Sequence, residues 1–208
     1  MCGRFTRSKD YFSEHANQRV FLDQLGIGFS GPVPPSYNVA PTQQIAAVRS
    51  NSHDGRELAM LRWGLVPGWA LDLDIGAKMI NARAKTITEK PAFRTALRNR
   101  RCLIIADGFY EWQKAGKAKQ PYLIRLKGGE PFCFAGLWER WGKGEKPVET
   151  CTIITTDATQ LMAPIHDRMP VILAPADYRL WLDTAVQEPD RLTPLLRPRP
   201  DVEMEPTR

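Results

Sequence analysis

The pattern of apolar and polar residues predicts a chain built mainly from short β-strands. Short runs rich in β-branched and aromatic residues recur between polar stretches, and glycine or proline often separates one run from the next. Such runs at short spacing are typical of antiparallel sheets. The predicted strands are Gln44–Arg49, Leu58–Trp63, Cys102–Ala106, Phe109–Trp112, Tyr122–Leu126, Phe132–Trp138, Thr150–Thr156 and Met169–Leu173.

Helices, turns and one loop are predicted between these strands. Residues 10–25 carry apolar side chains at helical spacing and stop at Gly26, and Pro91–Asn99 also has a helical pattern. Pro175–Leu182 begins with a proline, which is favoured at the first position of a helix. Residues 26–41 are rich in glycine and proline and predict a loop. Turns are predicted at Pro67-Gly68, Gly116–Gln120 and Gly128-Gly129.

Together these elements predict an α+β protein. We expect a single domain with a strongly curved antiparallel sheet, or a β-barrel-like core, and peripheral helices. A length of 208 residues with 43% hydrophobic content is sufficient for one such domain with a sizeable core. Residues 194–208 contain four prolines and are predicted to form a tail or a docked extended segment, so the domain is placed in residues 1–193.

The lack of long apolar runs argues against a membrane span, and the cysteine pattern suits a reducing compartment. No run approaches the ~20 apolar residues that cross a bilayer, and the N-terminus turns polar by Arg7–Asp10, unlike a signal peptide. The cysteines have no C-x-x-C pair and no histidine cluster beside them, which argues against disulfides and zinc. We therefore expect a cytoplasmic protein without a membrane anchor, a metal or a cofactor. The cysteines are Cys2, Cys102, Cys133 and Cys151, of which the last three lie in apolar runs and are expected in the core.

The net charge of +6 permits binding to a polyanion. Arginines recur beside aromatic residues, as in Arg4-Phe5, Arg62-Trp63-Gly64 and Arg140-Trp141-Gly142. Basic groups that pair with phosphates, alternating with rings that stack on bases, suit single-stranded nucleic acid. The alternative is that most of these rings belong to the core and most of the arginines to a solvated face.

Cys2 offers the most distinctive chemistry in the chain. The initiator methionine is normally removed when the next side chain is small, so the mature chain is expected to begin at Cys2. Its α-amine, with a reference pKa of about 7.7–8.0, and its thiol, at about 8.5, would then lie on adjacent carbons. The amine can form an imine with an aldehyde, and the thiol can close on the same carbon to give a thiazolidine. If Met1 is retained, the amine is an amide and this chemistry is lost.

Three further segments carry polar groups in specific settings. Asn81 and Arg83 are two residues apart, so they share a face if the segment is extended. Glu111 lies between the aromatic residues Tyr110 and Trp112, after an apolar strand, and His166 is flanked by charged residues. Each also has an ordinary structural explanation: a turn or cap amide, a hairpin carboxylate and a histidine paired with its neighbour.

Taken together, these segments resemble the SRAP family (SOS-response-associated peptidase), whose members attach covalently to abasic sites in single-stranded DNA. The matching motifs follow one another from residue 2 to about residue 183. The resemblance implies one α+β domain, a Cys2 that lies in a basic groove, and association with the nucleoid when bound to DNA. The motifs are Cys2–Phe5, Tyr37–Pro41, Trp63–Trp69, Asn81-Ala82-Arg83, Asp107–Trp112 and Ile165–Pro170.

The resemblance also implies a role for each candidate catalytic residue. His166 would act as the general acid/base that opens the closed sugar to its aldehyde, and a histidine suits this task near neutral pH. Glu111 would move protons during imine formation at Cys2, and Asn81 would hold the sugar hydroxyl or the carbinolamine. Because an imine acidifies the C2′ position, β-elimination of the 3′ phosphate is a lyase-type side activity. Thiazolidine closure would suppress this elimination and shield the lesion.

Four further residues are implied in DNA binding. Arg4 and Arg83 would bind flanking phosphates, which positions the lesion without reading its sequence. Trp69 and Pro41 lie in predicted loops and would wedge or stack where the strand bends. Two departures from the family pattern stand out: Lys85 occupies a position where members usually have Glu, and the chain ends at Arg208, before the expected Val-Ser…Val-Asn segment. We expect little effect on the chemistry from Lys85 and a truncated or missing last element at the C-terminus.

Two alternatives to crosslinking remain open on the sequence alone. The first is a cysteine peptidase with Cys2 as nucleophile beside His166 and Glu111, acting on its own N-terminus, which could coexist with crosslinking by exposing Cys2. The second is a passive single-strand-binding module whose affinity comes from stacking and counterion release. Such a module would bind intact and abasic strands alike.

Overall fold

The structure, a computed structural model, describes residues 2–12, 19–28, 31–51, 55–116, 118–142 and 147–208. Its helices are α1 (Arg19–Leu25), α2 (Arg94–Asn99), α3 (Tyr178–Leu182) and α4 (Pro189–Leu192), with short 3-10 turns between elements. Its strands are β1 (Arg4–Arg7), β2 (Ser36–Val39), β3 (Gln44–Ser50), β4 (Arg56–Trp63), β5 (Asn81–Arg83), β6 (Arg101–Ala106), β7 (Gly108–Ala115), β8 (Ala118–Leu126), β9 (Phe132–Trp141), β10 (Val148–Asp157), β11 (Arg168–Pro170), β12 (Ile172–Leu173) and β13 (Met204–Thr207).

Within the described residues, five strands close into a barrel. Its neighbours run β3, β4, β10, β9, β6 and back to β3, and every pair is antiparallel except β4 with β10. The second half of β10 leaves the barrel and is flanked by β5 and β11, while β12 pairs with β9. Short helices contact β6 and β9. This architecture confirms the predicted α+β class with a barrel-like core.

The strands β6 and β9 are buried on both faces, which explains why their sequences read as continuous apolar runs rather than as alternating ones. Their side chains divide into two hydrophobic clusters, with Cys102, Ile104 and Phe134 in one and Leu103, Ile105 and Ala135 in the other. Gly136 allows the two strands to pack closely, because a Cβ atom there would lie 2.7 Å from Cδ1 of Ile104. Apolar patterning therefore located these strands well.

A second sheet packs against one face of the barrel and carries the N-terminal strand. Its strand order is β13, β8, β7, β1 and β2. The contact is aromatic: the ring of Phe5 lies 5.3 Å from Trp63 and 5.8 Å from Phe134, between centroids. Because Phe5 in β1 is fixed against the barrel, the residues just before it are fixed as well.

Three sequence predictions differ from the structure. The stretch predicted as a loop, residues 26–41, contains β2, in which Val39 pairs with Phe5, so backbone pairing with β1 overrides the proline-rich composition. The single strand predicted over Met169–Leu173 is two strands, because Val171 donates its N–H to Ile154 O between them and β11 and β12 then pair with different partners. Of the predicted helix over residues 10–25, the structure describes α1 and a bend in place of a helix at residues 11 and 12, while residues 13–18 lie outside the described part. Residues 29 and 30 of the loop and residue 117 of a predicted turn also lie outside it.

The last residues pair with the second sheet. Residues 201–203 form a 3-10 turn, and β13 runs antiparallel to β8, with Met204 opposite Leu126. The Met204 side chain is buried. In the described part of the chain, no helix is long and apolar enough to cross a membrane.

Candidate active site at the N-terminal strand

Cys2 lies directly before β1 and is buried in the interface between the two sheets. Its exposed fraction is 0%, and it belongs to the hydrophobic cluster that contains Phe5 and Trp63. The strand β1 pairs with β7 so that Arg4 faces Tyr110, which directs the chain before β1 towards Glu111. The thiol also contacts the backbone, with Cys2 Sγ 3.9 Å from Arg4 O.

Glu111 lies beside Cys2 and is almost completely buried, with an exposed fraction of 2%. Burial raises the pKa of the Glu111 carboxyl above its ordinary value, and the nearby His166 acts in the opposite direction. Burial, followed by the charge of Glu111, raises the pKa of the Cys2 thiol far above its ordinary value. The carboxyl therefore lies close enough to both Cys2 and His166 to interact with their charges.

Asn81 reaches Cys2 from the barrel side. It is the first residue of β5, where it pairs with Ile153 of β10. Its Nδ2 donates a hydrogen bond of 2.9 Å to Cys2 O, while its Oδ1 is buried without a hydrogen-bond partner among the described residues. The residue before it is also fixed, because Trp63 Nε1 donates to Ile80 O at 2.9 Å. A rigid amide thus holds the main chain of Cys2.

His166 ends a compact turn, residues 159–166, that follows β10. The side chain is 26% exposed, and its Nδ1 has two neighbours that favour different protonation states. Arg168 N–H, 3.0 Å away, donates to a neutral Nδ1, whereas Asp167 Oδ1, 2.7 Å away, accepts from a protonated one. These two contacts hold the ring in place, and a positioned imidazole can serve as an acid/base group.

Basic side chains flank the second half of β10, which lies outside the barrel. Arg83 of β5 pairs with Thr155, and Arg168 of β11 pairs with Asp157, so the two arginines lie on opposite sides of one strand. Burial and the charge of Arg83 both lower the pKa of Arg168. Lys85 adds a third cation beside them, although it is exposed and forms an ion pair of 2.6 Å with Asp157. Sequence reasoning missed Arg168, which lies within a motif but received no role, because its pairing with β10 is visible only in the fold.

Arg4, Trp69 and Pro41 are not part of the buried group. Arg4 Nη1 donates 2.8 Å to Asn38 Oδ1 at the surface. Trp69 is 62% exposed, and its loop is held by Trp141 Nε1, which donates 2.8 Å to Ala70 O. Pro41 is partly exposed and precedes Thr42, a residue with a positive φ of 72°.

The rings in the arginine–aromatic pairs are mostly structural. Phe5 and Trp63 are fully buried and Trp141 is partly buried, so the first two cannot stack on a base. Among the residues predicted to bind DNA, Trp69 carries an exposed aromatic ring. Across the described ranges, no group of three or more His, Cys, Asp and Glu side chains is arranged to hold a metal ion.

The structure therefore brings Cys2, Asn81, Glu111 and His166 into one connected group. It combines a main chain held at residue 2, a carboxyl whose pKa is raised by burial and an imidazole that contacts Arg168 N–H and Asp167. Arg4, Arg83 and Arg168 bring positive charge to the neighbouring strands. Such a group can move protons around a carbonyl carbon that is attacked from residue 2.

The chain is similar to the proteins of one family. The sequence model of the family described as SOS response associated peptidase (SRAP) matches residues 1–208. The chain is 47% identical to the abasic site processing protein YoqW of Bacillus subtilis, over 99% of this chain and 90% of that protein. It is 48% identical to YoaM of the same organism, also named an abasic site processing protein, over 99% and 89%.

A solved structure shares the fold. A crystal structure of a protein from Bacteroides thetaiotaomicron, 27% identical, superposes with a TM-score of 0.82 and covers 99% of this chain and 90% of that one. The family match over the whole chain, together with relatives close to half identical over nearly all of it, decides the assignment. The chain belongs to the SOS response associated peptidase (SRAP) family.

Proposed function

We propose that this protein processes abasic sites in single-stranded DNA by forming a covalent thiazolidine crosslink through Cys2 after removal of Met1. The observation that carries the proposal is the group around Cys2, in which Asn81 holds its main chain, Glu111 lies beside its thiol and His166 lies beside Glu111. The names of the curated relatives, abasic site processing proteins, support the same lesion. The product would shield the lesion from cleavage during DNA repair.

The proposed reaction balances with the loss of one water. His166 transfers a proton that opens the closed sugar to its aldehyde, and the Cys2 amine then attacks C1′ to give a carbinolamine. Glu111, whose pKa is raised by burial, donates the proton with which the hydroxyl leaves as water. The thiol adds to the imine carbon and its proton passes to the nitrogen, which closes the five-membered ring.

The raised pKa of the thiol favours crosslinking over peptidase chemistry. A cysteine peptidase requires a thiolate, which is produced by a lowered pKa beside a cation or a helix N-terminus. In this site, burial and the charge of Glu111 raise the pKa of Cys2 instead. The amine is the stronger nucleophile under these conditions, and the thiol needs only to react with an imine already formed beside it.

Phosphate binding is assigned to the arginines and stacking to Trp69. Arg4, Arg83 and Arg168 would contact the backbone on either side of the lesion without reading its sequence. Trp69, exposed on a loop that Trp141 fixes, would stack on a flanking base, a contact worth about 1–3 kcal/mol. After it has donated its proton, Glu111 would accept a C2′ proton from the imine, so β-elimination of the 3′ phosphate is the expected side reaction.

A denaturing gel tests the proposal. Trimmed protein is incubated with a uracil-containing strand treated with uracil glycosylase, and a heat-stable adduct is expected. Cys2→Ala should abolish that adduct, and Cys2→Ser should leave only an imine trapped by borohydride, because its hydroxyl is a much weaker nucleophile. Cys133→Ala, which removes another buried thiol, should retain the adduct. An undiminished heat-stable adduct in Cys2→Ala would show that the linkage is formed elsewhere.

Two companion reactions distinguish this chemistry from its alternatives. Residues added before Cys2 that cannot be trimmed should abolish the adduct although the thiol remains, since the amine becomes an amide. A fully paired abasic duplex should react more slowly than the single strand, because the sugar must leave the helix to reach a buried Cys2. Equal rates on duplex and single strand would contradict the proposed substrate.

A further inference from the structure

The turn that carries His166 is held from outside by the C-terminal segment, defined here as residues 198–208. Asp201 Oδ2 accepts a hydrogen bond of 3.0 Å from Leu161 N, near the start of the turn. The segment is itself fixed to β8, because Lys127 N donates 2.9 Å to Glu203 O and β13 follows directly. Met162 of the turn and Met204 of the segment belong to one buried cluster. The turn and the segment are therefore joined by a hydrogen bond and contribute to the same hydrophobic cluster.

A second set of hydrogen bonds reaches the same turn through the second sheet. Arg208 Nε donates 3.0 Å to Tyr122 OH, which donates 3.2 Å to Gln113 Oε1. Gln113 Nε2 in turn donates 2.9 Å to Pro164 O, two residues before His166. Pro164 O can only accept a hydrogen bond, so the nitrogen of the Gln113 amide faces the turn. Its oxygen then faces Tyr122 OH, which accepts from Arg208 and donates to Gln113.

Gln113 connects this turn to the strand face that carries Glu111. The two residues are two positions apart in β7, and side chains at that spacing lie on the same face of a strand. The bond from Gln113 to Pro164 therefore joins the strand that carries Glu111 to the turn that carries His166. The bonds within the turn, such as His166 N to Met162 O at 2.9 Å, fix its shape but not its position relative to β7.

We propose that Gln113 and Asp201 are positioning residues that hold His166 in register with Glu111, and that the C-terminal segment acts through them. Neither residue is placed to touch the substrate. The proposal rests on the proposed function for its reaction, and it adds two residues on which the ring-opening step depends. Loss of either should shift the imidazole while Cys2 and Glu111 stay in place.

Paired variants test each contact. Asp201→Ala removes the acceptor, whereas Asp201→Asn keeps an oxygen for Leu161 N–H and should restore the rate. Gln113→Ala removes the donor, and Gln113→Glu keeps the acceptor for Tyr122 but directs a carboxylate at Pro164 O, so it should not restore it. The controls are Asp190→Ala and Gln187→Ala, two exposed side chains near α4.

The expected result is a selective loss of rate. Crosslinking to a closed abasic site should fall about 10- to 100-fold in Asp201→Ala and Gln113→Ala, as a misplacement of ~1 Å produces. Crosslinking to a simple aldehyde, which needs no ring opening, should change much less. Combined with His166→Ala, either variant should cause no further loss. Equal losses on both substrates, or full additivity with His166→Ala, would overturn the proposal and indicate general destabilisation.

An NMR measurement separates this inference from the proposed reaction. If the wild-type protein forms no adduct, the reaction is wrong, but the imidazole signal of His166 still reports its position. That signal should move in Asp201→Ala and Gln113→Ala and stay in place in Asp201→Asn and in both controls. An unmoved His166 signal in both alanine variants would refute the positioning role whatever the reaction.

Discussion

At the scale of single residues, Glu111 is a carboxyl whose environment opposes its charge. It is nearly fully buried beside a neutral thiol, and burial raises its pKa. A group whose pKa is higher in the folded than in the unfolded state costs stability as the pH rises between the two values. The fold therefore loses stability as the pH rises, and it holds a carboxyl that keeps its proton to a higher pH than an exposed one would.

We predict that Glu111→Gln stabilises the protein at neutral pH while slowing crosslinking. The neutral amide removes the cost of ionising a buried group, so Tm should rise at pH 7. The gain should disappear below the ordinary pKa of Glu, where the carboxyl is protonated in both states. Thermal unfolding of wild type and variant from pH 4 to pH 8 measures this. Glu139→Gln, which weakens an ion pair of 2.7 Å with Arg100, should lower Tm instead. A lower Tm for Glu111→Gln at pH 7 would contradict the assigned shift.

We also predict that loss of His166 and loss of Glu111 have different effects on the crosslinking rates of two substrates. His166→Ala should slow reaction with a closed abasic site by about 10²–10⁴-fold, the usual contribution of a positioned acid/base. It should affect a simple aldehyde much less, because that substrate needs no ring opening. Glu111→Ala should slow both, since imine formation moves protons whatever the source of the aldehyde. Initial rates at fixed pH and salt provide the comparison, and an equal loss on both substrates for His166→Ala would remove its ring-opening role.

At the scale of elements, β1 is anchored by a buried carboxylate. Asp107 Oδ1 accepts from Thr6 Oγ1 at 2.5 Å. Its Oδ2 accepts from Ser8 N at 2.5 Å, from Ser8 Oγ at 2.6 Å and from Tyr11 OH at 2.9 Å. These bonds fix the end of β1 opposite Cys2. The aspartate thus sets the register of the strand on which the reactive residue depends.

We predict that Asp107→Ala destabilises the fold by about 2–4 kcal/mol, because several buried donors lose their acceptor. Tyr11→Phe removes one of these bonds and should cost about 1 kcal/mol. Urea unfolding gives both values. At temperatures where the variant is still folded, Asp107→Ala should also slow crosslinking on both substrates, since Cys2 is no longer held. A wild-type rate in a destabilised Asp107→Ala protein would show that β1 keeps its register without this anchor.

At the scale of the whole molecule, the two sheets and the second half of β10 bring three arginines together, and these are called the basic rim. Arg4 comes from the second sheet, while Arg83 and Arg168 come from strands added to the barrel sheet beside β10. No segment of the sequence is a block of positive charge. The rim exists because the fold assembles isolated arginines around Cys2, and it suits a phosphate backbone that passes across the site.

We predict that Arg83→Ala and Arg168→Ala weaken binding to abasic and intact strands by similar factors. Each should also flatten the plot of log K against log salt by about 0.7, the value for one phosphate contact on a single strand. Fluorescence anisotropy over a salt series measures the slope. Arg191→Ala, an exposed arginine of α4, makes the same change in net charge and should leave the slope unchanged. An equal change in slope for Arg191→Ala would mean that the rim lies elsewhere.

The sequence by itself predicted the fold class, which the structure confirms, and the chemistry that the proposed function assigns to Cys2. The apolar runs of β6 and β9 located buried strands because the length and composition of such a run are local properties of the chain. The 1,2-aminothiol of Cys2 is likewise a covalent property, independent of folding once Met1 is removed. The candidate set of Cys2, Asn81, Glu111 and His166 therefore follows from motifs that are legible along the chain.

Only the tertiary structure decided how these residues meet and which others support them. Asn81 contacts Cys2 across 79 positions, and Asp107 joins Thr6 across 101, so no local pattern encodes either bond. Whether a ring lies in the core or at the surface depends on which sheet packs against it, which is why Trp63 is buried and Trp69 is exposed. Strand pairing also formed β2 within a proline-rich stretch, because backbone hydrogen bonds to β1 outweigh local propensity. The periodicity of apolar residues predicts the face of a strand or helix on which a side chain lies. Only tertiary packing brings together the faces of elements that are distant in the sequence.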